Sequence, residues 1–145
     1  MRHHLILRVI TKMLVAPIIL FALYVQFHGD YSPGGGFQAG VIFAVAFILF
    51  GTVFSLRKVQ EVFPPHLVHR ALALGALIYA GTGVVSLFLG YNYLDYNALA
   101  HDPEHGQHYG ILIVEAGVGI TVASVMIAIY YAFAGRTPII SDEDW

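Results

Sequence analysis

Glu115 is the single acidic residue inside a long apolar run, about Gly110 to Ala134. An ionisable group in a bilayer is costly, so it usually faces the bundle interior, a partner or water. Counted from Gly110 it lies five residues in, about 7–8 Å at the helical rise of ~1.5 Å per residue, shallow enough for the carboxylate to reach an interface. A carboxylate removed from water holds a proton more readily. Glu115 could therefore exchange a proton near neutral pH or offer oxygen to a hard cation such as Na+. It could equally make a polar contact with a neighbouring subunit or sit solvated at the interface, and its position alone does not choose among the three.

The second unusual stretch is the connector His28-Gly29-Asp30-Tyr31-Ser32-Pro33-Gly34-Gly35-Gly36-Phe37-Gln38-Ala39-Gly40. Gly29 suits the left-handed position that ends a helix, while Ser32 and Pro33 offer an N-cap and the proline favoured at the first helical position. Three consecutive glycines, Gly34 to Gly36, should weaken the start of the next helix by about 1 kcal/mol each relative to alanine. A plain hairpin has no need of that cost. Irregular backbone at membrane depth is tolerated where it is packed in protein or lines a wet cavity. The stretch is therefore expected to be a site of close helix contact or the mouth of an ion path, the plainer alternative being a flexible surface loop. Gly34 to Ala39 also fits the GxGxxA spacing of a dinucleotide-binding turn, but that turn needs a preceding β-strand, and none is expected here.

Arg8 and Lys12 stand near the start of the first apolar run, where long basic side chains snorkel to the headgroups. All eight histidines lie at the ends of runs or in loops, so no facing pair is expected to ligate haem within the membrane. His101, His105 and His108 approach metal-ligand spacing around Asp102 and Glu104, yet Pro103 and Gly106 argue against a regular helix that would align them. No nucleophile, base and oxyanion donor come together. Neither catalysis nor a bound metal or cofactor is expected.

Helices that cross a membrane must position these groups. Of 145 residues, 58% are hydrophobic and 11% charged, whereas a soluble domain carries about a quarter charged residues. A crossing helix needs about 20 mostly apolar residues, and four runs approach or exceed that, at about 5–27, 37–56, 71–90 and 110–134. Pro17 is expected to kink the first. That run lacks a small-residue cleavage site before His28-Gly29-Asp30, so it reads as a retained span rather than a secretory signal. A soluble helical bundle would show polar faces at helical spacing, and these are missing. The expected fold is all-α: a polytopic membrane protein, a bundle of four transmembrane helices forming a single membrane domain over 1–145, with a short acidic tail at 136–145.

Lys and Arg accumulate in cytoplasmic loops. Here all seven fall on one side of the four runs: Arg2, Arg8 and Lys12, then Arg57 and Lys58, then Arg70, then Arg136. The opposite loops, 28–36 and 91–109, have none. Both termini are therefore expected to be cytoplasmic. Basic residues scattered in ones and twos make no nucleic-acid patch, and with no cysteine the chain forms neither a disulfide nor a thiolate metal site.

Helices in lipid associate through close packing at small residues. Such residues recur four apart: Gly40 and Ala44, Gly51 and Ser55, Ala71 and Gly75, Ala76 and Ala80, and Gly119 and Ala123. Each pair could be a contact face within the chain or toward a partner.

His28-Gly29, followed by Ser32-Pro33-Gly34-Gly35-Gly36-Phe37-Gln38 and Gly40-Val41-Ile42, with four spans in this order, resembles the MnhB-like small subunits of the Mrp-type multisubunit Na+/H+ antiporters. The likeness covers about residues 8 to 135. Where that family often has Gly-His-x-Ser and Gln-Gly-Gly, this chain has Gly29-Asp30-Tyr31-Ser32 and Gln38-Ala39-Gly40. The resemblance implies a small subunit of a hetero-oligomeric complex in a bacterial or archaeal plasma membrane, exchanging cytoplasmic Na+ for external protons. Larger subunits would carry the main proton-handling residues. This chain would pack beside other subunits and contribute Glu115 and the connector to an ion path, or else serve assembly alone with no ion contact.

Overall fold

The computed structural model describes residues 3–29, 34–100 and 102–136. Its helices are α1 (His3–Phe27), α2 (Gly36–Phe54), α3 (Leu56–Val62), α4 (Pro65–Phe88) and α5 (Pro103–Ala134), with a 3₁₀ turn at Tyr96–Leu99. There is no strand among the described residues. Four of these helices, α1, α2, α4 and α5, are long and apolar enough to cross a membrane, so the expected all-α class with four membrane helices is borne out. Pro17 lies within α1, and the helix continues through it. The acidic tail beyond residue 136 lies outside the described residues.

The long helices stand in a row. Extensive packing joins α1 to α2, α2 to α5 and α5 to α4, while α1 and α5 barely touch. The bundle is therefore open rather than closed into a ring, with α2 and α5 at its centre. Only 11% of the most apolar stretch of α1 is buried within the chain, which leaves its outer surface to lipid or partner helices, the solvents such a surface requires.

Small residues set the central contacts, as close packing in lipid demands. A methyl group at Gly40 of α2 would stand 2.6 Å from the carbonyl oxygen of Gly119 on α5, and one at Gly51 would stand 2.6 Å from the hydroxyl of Tyr130. Gly75 of α4 packs on Thr121, and a methyl group there would lie 2.6 Å from the carbonyl oxygen of Gly117. Ala76 and Ala80, by contrast, are exposed. Hydroxyls inside the spans are satisfied locally: Thr82 donates to the carbonyl of Ile78 at 2.8 Å and Ser86 to that of Thr82 at 3.2 Å.

α2 stops at Phe54, short of the run's apolar end, because Ser55 turns the backbone to φ 138 and ψ 154. The short α3 that follows returns the chain to α5. There the hydroxyl of Tyr131 donates to the carbonyl of Phe63 at 2.7 Å, and Phe63 lies 5.3 Å from the ring of Phe47. The core under this corner is Ala44, Val68 and Ile127. These contacts gather the α3–α4 corner, the start of α4 and the end of α5 at one end of the row.

Both α4 and α5 begin upstream of the apolar runs at 71 and 110, each with a proline at its start. Asp102 caps α5 by accepting the Glu104 N–H at 3.4 Å. With 32 residues, α5 is about 48 Å long, more than the ~30 Å hydrocarbon core requires. Its first turns instead carry the 3₁₀ turn: Tyr96 packs on Gly106 and Gly110, and Gln107 donates to Asn97 at 2.9 Å. Burial, with smaller contributions from Tyr79 and Tyr93, holds the Tyr96 phenol above its ordinary pKa.

Candidate functional site

The end of the row opposite α3 is where α1 stops, α2 starts and α5 passes beside the connector that joins them. α2 can begin close to α5 because its first residues have no side chains. Gly36 is buried directly on the backbone carbonyl of Glu115, a contact that any Cβ would abolish. Gly35, preceding it, adopts φ 157 and ψ −175, a region open essentially to glycine alone.

This close approach places the Glu115 side chain in a cradle of glycines. A methyl group at Gly29, after the end of α1, would stand 2.8 Å from Oε2, and one at Gly35 would stand 2.9 Å from Oε1. The half-buried carboxylate thus lies between the two ends of the connector. An open recess of about 350 Å³ adjoins it, lined by Gly34, Gly35, Gly36, Phe37, Gln38, Val114, Glu115 and Val118. Its walls are backbone and apolar groups, with the carboxylate and the Gln38 amide as the side chains able to meet an ion or a proton.

Six of the residues singled out in the sequence therefore share one place: Gly34, Gly35, Gly36, Phe37, Gln38 and Glu115. His28 lies beside it, exposed and stacked on Tyr24 with ring centroids 4.1 Å apart. Gly40 sits one turn deeper, where it serves the α2–α5 contact. Ser32 and Pro33 lie outside the described residues.

Gln26 is a further polar group near this end that sequence position does not single out. Its Oε1 lies where a methyl group on Gly119 would come within 2.7 Å, and it lines an apolar groove of about 320 Å³ that runs along α5 from Ala116 to Ile127. A lone amide near the end of an otherwise apolar run is the available signal. Among the described residues, which do not include His101, no three His, Asp or Glu side chains come together to hold a metal ion; His105 Nδ1 instead pairs with Asp102 Oδ2 at 3.0 Å.

Residues 6–128 match the family described as "Domain related to MnhB subunit of Na+/H+ antiporter". A candidate antiporter subunit of Staphylococcus haemolyticus (strain JCSC1435), mnhB2, is 36% identical over 136 residues, covering 92% of this chain and 96% of that protein. The mnhB2 protein of Staphylococcus aureus (strain Newman) is 32% identical over the same shares of both chains.

Proposed function

The chain belongs to the family related to the MnhB subunit of Na+/H+ antiporters, and from that premise we propose that it works as a small multi-pass subunit of a plasma-membrane cation/proton antiporter, with Glu115 and its glycine cradle lining part of the ion path. Other subunits are its partners. With every Lys and Arg on one side of the spans, both termini face the cytoplasm, and the Glu115 recess opens toward the outer face. The transported species are Na+ and H+.

One observation carries this reading: the carboxylate lies between Gly29 and Gly35 at the mouth of an open recess. A plain helix joint has no use for a carboxylate there, because withdrawing one from water among packed helix ends costs free energy. A proton or a hard cation binds a carboxylate oxygen directly. The glycines keep bulky side chains away from the recess and let the connector backbone approach the carboxylate.

Glu115→Gln keeps the size of the side chain and removes its charge. In inside-out vesicles carrying the assembled complex, this variant is expected to abolish the Na+-driven pH change while the complex runs intact on a native gel. A pH change equal to that of the unaltered complex would contradict the reading, and is what a role in assembly alone predicts.

A further inference from the structure

At the opposite end of the row three cations converge on one aromatic ring. The guanidinium of Arg8 lies 5.9 Å from the centroid of Phe54, the ammonium of Lys12 5.6 Å and that of Lys58 5.8 Å. Arg8 and Lys12 are one turn apart on α1, a like-charge spacing that destabilises a helix, and α3 brings a third charge to the same ring. Among the described residues no carboxylate pairs with any of them; the nearby Glu61 is taken by Arg57 at 3.7 Å. A cation over a ring gains some attraction, but three on one ring repel each other, and an anion among them relieves that.

We infer that Arg8, Lys12 and Lys58 form a binding site for the phosphate of an anionic phospholipid. The surroundings select a lipid over a soluble anion. Leu5, Val9 and Met13 of α1 and Val62 of α3 are exposed around the cations at 64%, 49%, 70% and 65%, so a ligand seated there meets apolar surface on its flanks. Lys12 lies seven residues beyond Leu5, about 10 Å along the span, so its ammonium reaches the headgroup level from below. A phosphodiester carrying two acyl chains matches both features: the charge sits among the cations and the chains lie along α1. Basic pockets between membrane helices bind lipid headgroups in this way. The site is distinct from the Glu115 recess and does not depend on the transport reading.

The test is lipid retention by the purified full chain in neutral detergent, measured by native mass spectrometry after incubation with phosphatidylglycerol or phosphatidylcholine. Phosphatidylglycerol is expected to be retained in preference. Arg8→Gln, Lys12→Gln and Lys58→Gln should each lower that retention about fivefold, while Arg136→Gln leaves it unchanged. Lys12→Arg keeps the charge and should keep the lipid, which separates lost charge from lost fold; circular dichroism reports the helix content of each variant. Equal retention of the two lipids by the native chain, undiminished retention by all three Gln variants, or displacement of the lipid by inorganic phosphate alone would overturn the assignment.

Discussion

The carboxylate of Glu115 lies so close to Gly29 that a methyl group on the glycine would stand 2.8 Å from Oε2. The neighbour in that contact is the far end of a flexible side chain, so Gly29→Ala should fold and assemble while displacing the carboxylate and lowering antiport. Gly36 meets the backbone carbonyl of the same residue, which cannot swing aside. Gly36→Ala is expected to destabilise the chain by about 2 kcal/mol or more through overpacking. Thermal midpoints of the detergent-solubilised chain should therefore fall markedly for Gly36→Ala and little for Gly29→Ala.

The Tyr131–Phe63 bond ties α5 to the corner between α3 and α4. Tyr131→Phe leaves that carbonyl without its donor, at a cost of about 1 kcal/mol, visible as a fall of a few degrees in the unfolding midpoint. An unchanged midpoint would show that the corner is held by the aromatic packing of Phe47 and Phe63 alone.

Most of the architecture was legible in the sequence because lipid imposes simple demands: four apolar runs gave four helices, and Gly40, Gly51, Gly75 and Gly119 lie at helix contacts within the chain. The sequence also marks Glu115 and the glycine connector, but as separate features. Their meeting depends on α2 packing against α5 rather than α4, a tertiary choice that periodicity does not encode. Apolar content alone puts the starts of α4 and α5 too late, because Pro65 and the Asp102 cap begin helices in polar sequence. The break at Ser55 has no signal, since serine is not a residue that favours φ 138.

That backbone carries a cost. Ser55 occupies a region nearly reserved for glycine, worth about 1–3 kcal/mol of strain, and its hydroxyl returns only a long 3.5 Å bond from the Lys58 N–H. Replacing a serine cap by glycine costs a few tenths of a kcal/mol. Ser55→Gly should accordingly raise the unfolding midpoint, and a lower one would show that the cap outweighs the strain.

Two glycines of α4 offer an internal contrast. Gly75 is wedged against Thr121 and the backbone of Gly117, whereas nothing lies within 4 Å of a methyl group at Gly81. Gly75→Ala should loosen α4 from α5 and lower the midpoint. Gly81→Ala gains helix propensity, up to about 1 kcal/mol, and should raise it. The reverse ranking would contradict the packing of α4 on α5.

Glu115 and the connector are expected to act as one unit in transport, and a double-mutant cycle tests that most directly. Antiport rates are measured in vesicles for Gly29→Ala, for Glu115→Asp, which draws the carboxylate back, and for the two together. Residues in contact couple by about 0.5–3 kcal/mol, so the combined effect is predicted to depart from the product of the single effects by at least about twofold. Strictly multiplicative losses, with the complex assembled in every variant, would contradict it.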